Sequence, residues 1–104
     1  MQNYSNALIS IIVPCYNEEG NVELLYNKVK DTLHDTKLEF IFVDDGSTDD
    51  SLTLLRQLKK TYPQLRVLQH PKSVGQSFAV LTGARFAKGQ WLVVLDADGQ
   101  NDPA

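Results

Sequence analysis

The chain has 104 residues, 42% of them hydrophobic and 22% charged, with a net charge of −3 when the histidines are neutral. This is the composition of one folded domain, and it excludes both disorder and the basic surface that nucleic acid or anionic lipid would require. Cys15 is the single cysteine, which rules out an internal disulfide framework, marks a small buried side chain and fits a reducing, cytoplasmic compartment. The polar start MQNYSN lacks the basic region of a secretory signal, and the apolar runs fall far short of the roughly 20 residues that span a bilayer. A soluble chain is expected.

Strand and helix patterns alternate along the sequence. LISIIV (8–13) is a continuous aliphatic run, as in a strand buried on both faces. Val22, Leu25, Val29 and Leu33 then recur at helical spacing, with Asn21 placed to cap. FIFV (40–43) is a second strand. GSTDD follows as a turn in which Ser47 and Asp50 resemble a capping box, and Leu52, Leu55, Leu58 and Tyr62 form the stripe of a second helix ending before Pro63. RVLQH (66–70) is a short third strand. A third helix is expected over 74–88, with Phe78, Leu81 and Ala84 inward and Gly89 as its cap. WLVVL (91–95) is a fourth buried strand. NDPA reads as the opening of a further helix, with Pro103 at its first position, so the chain is expected to be the front half of something longer. Residues 1–7 are expected as a tail, and 8–104 as half of a larger domain.

Strands separated by helices pair in parallel, so the fold class is α/β with an open sheet and helices on both faces. Three polar clusters then lie at strand carboxyl ends: PCYNEEG, VDDGSTDD and DADGQ. Ligands of such sheets bind beyond those ends, where the strand order reverses. The order 3-2-1-4 would set Pro14 to Glu18 beside Asp96 to Gln100, with Asp44 and Asp45 one strand away. Each cluster has an ordinary reading: Pro14 ends a strand, Asn17 caps a helix, and Asp44 to Ser47 form a turn. Crowded together, the carboxylates require hydrogen-bond donors or a divalent cation to offset them. Asp96 and Asp98, two apart on an extended backbone, point one way, and Gln100 with them. All-oxygen ligands select magnesium or manganese over zinc. His34, on a helix end, and His70, at the end of an edge-like strand, read as surface or cap residues.

SIIVPCYNEEGNV, FIFVDDGSTDDS and GQWLVVLDADGQNDP, in this order, resemble the family 2 glycosyltransferases of the GT-A fold, and within them the dolichyl- or polyprenyl-phosphate mannosyltransferase type. The resemblance implies a Rossmann-like nucleotide-binding half and assigns roles. Pro14, Tyr16, Glu18, Val43, Asp45, Asp96 and Ala97 would line the nucleotide pocket, with Asp44 in support. Asp96, Asp98 and Gln100 would hold Mg2+ or Mn2+, and Asp96 and Asp98 would be the catalytic pair. The donor would be a GDP- or UDP-hexose and the acceptor a polyprenyl phosphate, with inversion at the anomeric carbon. The longer parent would work at the cytoplasmic face of a membrane, and exposed apolar surface would favour homo-oligomers. DGQND departs from the polyprenyl-phosphate pattern, where a leucine and a histidine stand, so the donor half of the resemblance is the firmer one.

Two rivals share parts of the pattern. LVVLDADGQ resembles the nucleophile strand of haloacid dehalogenase-type phosphohydrolases, but Gln100 replaces the expected Thr or Val and the motif closes the chain instead of opening it. A receiver-like signalling module would carry its acidic pair after the first strand, not the second. A dinucleotide-binding fold would need G-x-G-x-x-G where PCYNEEG stands.

Overall fold

The computed structural model describes residues 7–32 and 37–95. Four strands, β1 (Leu8–Cys15), β2 (Lys37–Asp45), β3 (Leu65–His70) and β4 (Trp91–Val94), form one sheet in the order β3-β2-β1-β4. All pairs are parallel. Helices α1 (Val22–Thr32), α2 (Ser51–Thr61) and α3 (Gln76–Phe86) connect them. This is the expected α/β topology, with the order reversing between β1 and β4.

One register row, Leu65–Phe40–Ile11–Val93, runs across all four strands. Side chains alternate between the two sheet faces. Ile11, Val13, Phe40, Phe42 and Leu65 pack against Val22 and Tyr26 of α1 and Leu55 and Leu58 of α2. Tyr26, four residues after Val22 and so on the same helical face, is fully buried, its ring 4.6 Å from Phe40 and 4.4 Å from Tyr62. On the other face Ile41 and Val43 meet Ala79 of α3.

Four local expectations change. Phe78 and Leu81 are not inward: they are 59% and 56% exposed, while Ala79 and Gly83 are the buried positions of α3. A Cβ on Gly83 would stand 2.5 Å from Ile12 Cγ2, so the helix approaches the sheet by its small residues and its large ones face away. β4, read as buried on both faces, has Trp91 to Val94 between 41% and 52% exposed, because it is an edge strand of this sheet. Gly89 is not the α3 cap. The helix closes at Phe86 and Ala87, where Ala87 N–H donates to the Ala84 carbonyl. Ser47 does not cap α2 either. Asp50 takes that place, without a side-chain cap bond. At α1, the Asn21 carbonyl accepts the first helical bond from Leu25, while its side-chain amide turns back to Glu18.

At the amino end of the sheet a buried carboxylate ties the strands to the α3–β4 turn. Glu39 accepts from Ser10 Oγ at 2.6 Å, Arg66 Nη1 at 2.9 Å and the Lys88 amide at 2.9 Å. Burial disfavours its charge, but the Lys88 amide, the Ser10 hydroxyl and Arg66 outweigh that and hold its pKa below the usual value. Gly89 N–H donates to the same Ser10 hydroxyl. The turn is thereby fastened and α3 is set over β1 and β2.

Candidate functional site

Three loops meet at the carboxyl ends of the neighbouring strands β1, β2 and β3. Pro14 and Cys15 of β1 sit opposite Val43 and Asp44 of β2, and Asp45 sits opposite His70 of β3. A parallel sheet delivers every strand end to one edge, so the loops following these strands are neighbours by construction.

The β1 and β2 loops are joined through Asn17, which does not act as a helix cap. Its backbone takes a left-handed φ of 53°, a conformation that asparagine tolerates better than most side chains. Its Oδ1 accepts from the Thr48 amide at 2.8 Å and the Asp49 amide at 3.2 Å, with the Thr48 hydroxyl at 3.4 Å. Its own amide donates to Ser47 Oγ at 2.9 Å. One residue on, the Glu18 amide donates to Ser51 Oγ, which in turn donates to Asp49 Oδ1.

The β2 and β3 loops are joined through Asp45 and Gly46. Asp45 is 5% exposed. One oxygen accepts from His70 Nδ1 at 2.8 Å and the Val74 amide at 2.9 Å, and the other from Ser73 Oγ at 2.9 Å and the Gly75 amide at 3.0 Å. Burial penalises the charge, but the His70 bond, the two amides and the Ser73 hydroxyl outweigh it and lower the pKa to about 2. The other ring nitrogen, His70 Nε2, lies 2.9 Å from the Thr82 hydroxyl on α3, and in the neutral tautomer whose Nδ1–H donates to Asp45 it is the acceptor of that bond. Gly46 has φ +70°, and a Cβ there would stand 2.5 Å from the Lys72 carbonyl carbon. Only glycine fits both the turn and that close approach.

Of the residues expected in a nucleotide pocket, Tyr16 is 47% exposed and presents its ring at the loop surface. Glu18 is half-buried and accepts from Asn21. Pro14 is buried at the strand end. The Val43 side chain is fully buried against Ile41 and Ala79 and is not part of the loop surface. Asp44 is 1% exposed; one oxygen accepts from the Ser47 amide and the other, Oδ1, is buried without a hydrogen-bond partner. Asp96, Ala97, Asp98 and Gln100, expected in the site, and His34, expected at a helix end, lie outside the described residues. Among the described residues no cluster of His, Cys, Asp and Glu could hold a metal ion, and the Asp45 carboxylate is surrounded by protein donors. His70 is not a surface residue: its side chain is 14% exposed and pairs with Asp45. The β3 loop, PKSVG, is the part that sequence reasoning passed over. Its polar, glycine-containing composition after a strand is the same signal as the other three clusters.

Comparison with known proteins gives this edge its context. The model of Glycosyl transferase family 2 matches residues 10–104. The chain belongs to that family. It is 37% identical over 95 residues to the dolichol-phosphate mannosyltransferase of Pyrococcus furiosus, covering 91% of this chain and 27% of that protein. It is 36% identical over 96 residues to the uncharacterized glycosyltransferase YkcC of Bacillus subtilis, covering 90% of this chain and 30% of that one. Among solved structures, a mannosyltransferase from Pyrobaculum calidifontis in complex with GDP-Man and Mn2+ superposes with a TM-score of 0.79 at 32% identity, over 89% of this chain and 28% of that one. The chain therefore spans less than a third of the length of these relatives. The observed sheet is the Rossmann-like part of the GT-A fold. A receiver-like module would place β1 between β2 and β3, and neither it nor the phosphohydrolase reading finds support in these relatives.

Proposed function

We propose that this chain is the donor-binding part of a metal-dependent glycosyltransferase that moves a hexose, with inversion, from a nucleotide diphosphate sugar to a polyprenyl phosphate. The observation that carries the reading is the cross-bonded loop edge beside the β1–β4 reversal, in a family 2 chain whose neighbour binds GDP-Man and Mn2+. The half-exposed Tyr16 ring offers a face for a base and a hydroxyl for a hydrogen bond. Glu18 stands beside it with its backbone tied to Ser51. Asp45 already accepts four bonds, about the full capacity of a carboxylate, so a base that bonds to it replaces one of those donors. The Ser73 hydroxyl, which can rotate away, is the one to yield.

Asp96, Asp98 and Gln100 offer only oxygen donors, the set that suits a hard divalent ion, and we assign them that role. The ion, when bound, supplies Lewis-acid stabilisation of the departing diphosphate. A lipid phosphate acceptor is already anionic and calls for little general-base help. The name of the Pyrococcus relative supports this acceptor class. A cytoplasmic setting, with the parent at the membrane's inner face, is supported by the single buried cysteine and by that acceptor. Among the described residues no helix is long and apolar enough to cross a membrane.

The test is a titration of the chain with GDP or UDP in the presence of Mg2+, followed by backbone amide NMR. Shifts should cluster at Tyr16 to Glu18 and at Asp45 to Asp49, and the double variant Asp96→Ala, Asp98→Ala should bind at least tenfold more weakly. Equal binding by the double variant would defeat the metal assignment. The absence of shifts with either nucleotide would defeat the pocket itself.

A further inference from the structure

We infer that Asn17 is a positioning residue of the nucleotide pocket, holding the β1 and β2 loops, and with them Tyr16 and Glu18, in one rigid frame. The inference rests on the nucleotide-pocket reading above and extends it to a residue that does not itself touch the ligand. Asn17 lies between the two pocket residues of its own loop, and its exposed side chain turns to the neighbouring loop. There Oδ1 collects the Thr48 and Asp49 amides, while the Asn17 amide reaches back to Ser47 Oγ. Those amides sit at the start of the segment that leads into α2, ahead of Asp50. The two-way link therefore fixes the separation of the loops in a way that the sheet ladder, which ends at Cys15 opposite Asp44, does not.

The residue type matters twice. The left-handed φ of 53° disfavours most side chains, and the acceptor must stand on a short stem to reach two consecutive amides. Glycine keeps the backbone and loses the acceptor, whereas aspartate keeps an acceptor oxygen and tolerates the backbone. Loops ordered in advance bind more tightly because less freedom is lost on binding.

The experiment compares wild type, Asn17→Gly, Asn17→Asp and Ser47→Ala in amide NMR titrations with GDP and with UDP, each with Mg2+ at the same salt. Melting curves and the exchange rates of the Thr48 and Asp49 amides are read alongside. Asn17→Gly should weaken nucleotide binding about tenfold and speed exchange at both amides, with a cooperative melt retained. Asn17→Asp should restore affinity to within about threefold and restore protection. Ser47→Ala, which cuts only the return bond, should weaken binding two- to fivefold. Wild-type affinity in Asn17→Gly, or failure of Asn17→Asp to recover any of the loss, overturns the role. If Asn17→Gly does not fold, Ser47→Ala decides, and affinity equal to wild type overturns it. Absence of binding by the wild type overturns the pocket reading and this role with it, while wild-type binding matched by the variants removes the role alone.

Discussion

Four donors converge on the Asp45 carboxylate, and they set how the chain responds to acid. Its pKa of about 2 in the fold lies below the ordinary 3.8, so ionised Asp45 favours the folded state. That contribution is fully present above about pH 4 and is lost as the pH falls from there towards 2. The difference corresponds to about 2 kcal/mol. Unfolding free energies from urea denaturation, measured between pH 5 and 2, should fall by at least this amount in wild type. Asp45→Asn, which no longer titrates, should start less stable by about 1–3 kcal/mol because an amide meets donors on several sides, and its pH slope should be shallower. A slope unchanged by that substitution would mean that Asp45 is not the titrating group. The acidic pair after the second strand was visible in the sequence; its partners His70, Ser73 and the Val74 and Gly75 amides were not. They lie 25 to 30 residues away, and only the β2–β3 register brings them into contact.

At the scale of elements, α3 carries the clearest lesson. Its large apolar residues invite the reading that Phe78 and Leu81 face the core, yet the close face is Ala79 and Gly83. Hydrophobicity alone cannot choose between two apolar faces of a helix. Close approach to a β-branched surface favours the smaller one, and the Glu39–Lys88 and Ser10–Gly89 bonds hold the end of the helix there. Gly83→Ala tests this contact. The added methyl gains helix propensity of up to about 1 kcal/mol, but it must displace Ile12, which is fully buried. Overpacking of this kind costs about 1–3 kcal/mol, so net destabilisation is the expected outcome in a thermal melt. A rise in melting temperature would show that α3 sits farther from β1. The first two helices were easier to read, because each has one apolar stripe and a polar remainder.

Across the whole molecule, the apolar surface is distributed unequally. The α1 and α2 side is a closed core, whereas Phe78, Leu81, Phe86 and Trp91 to Val94 lie open on α3 and β4. Exposed apolar surface of this extent exceeds what scattered single residues account for, and an edge strand adds unpaired backbone groups. The native chain should bind a hydrophobic dye such as ANS and associate increasingly with concentration in sedimentation velocity. Phe78→Lys with Leu81→Lys should reduce both. A monodisperse wild-type monomer that binds no dye would contradict the exposure of this face.

The order of strands and helices, the α/β class and the gathering of polar loops at the strand carboxyl ends were all determined by the sequence alone. Hydrophobic periodicity and turn residues are local signals, and a parallel sheet has one functional edge whatever its details. Tertiary structure alone decided that Asn17 serves its neighbouring loop instead of its own helix, that His70 is an interior partner of Asp45, and that α3 approaches by its glycine. Each of these is a contact between segments distant in sequence, chosen by geometry and by the need to satisfy buried donors and acceptors, and none is encoded in the spacing of residues along a single element.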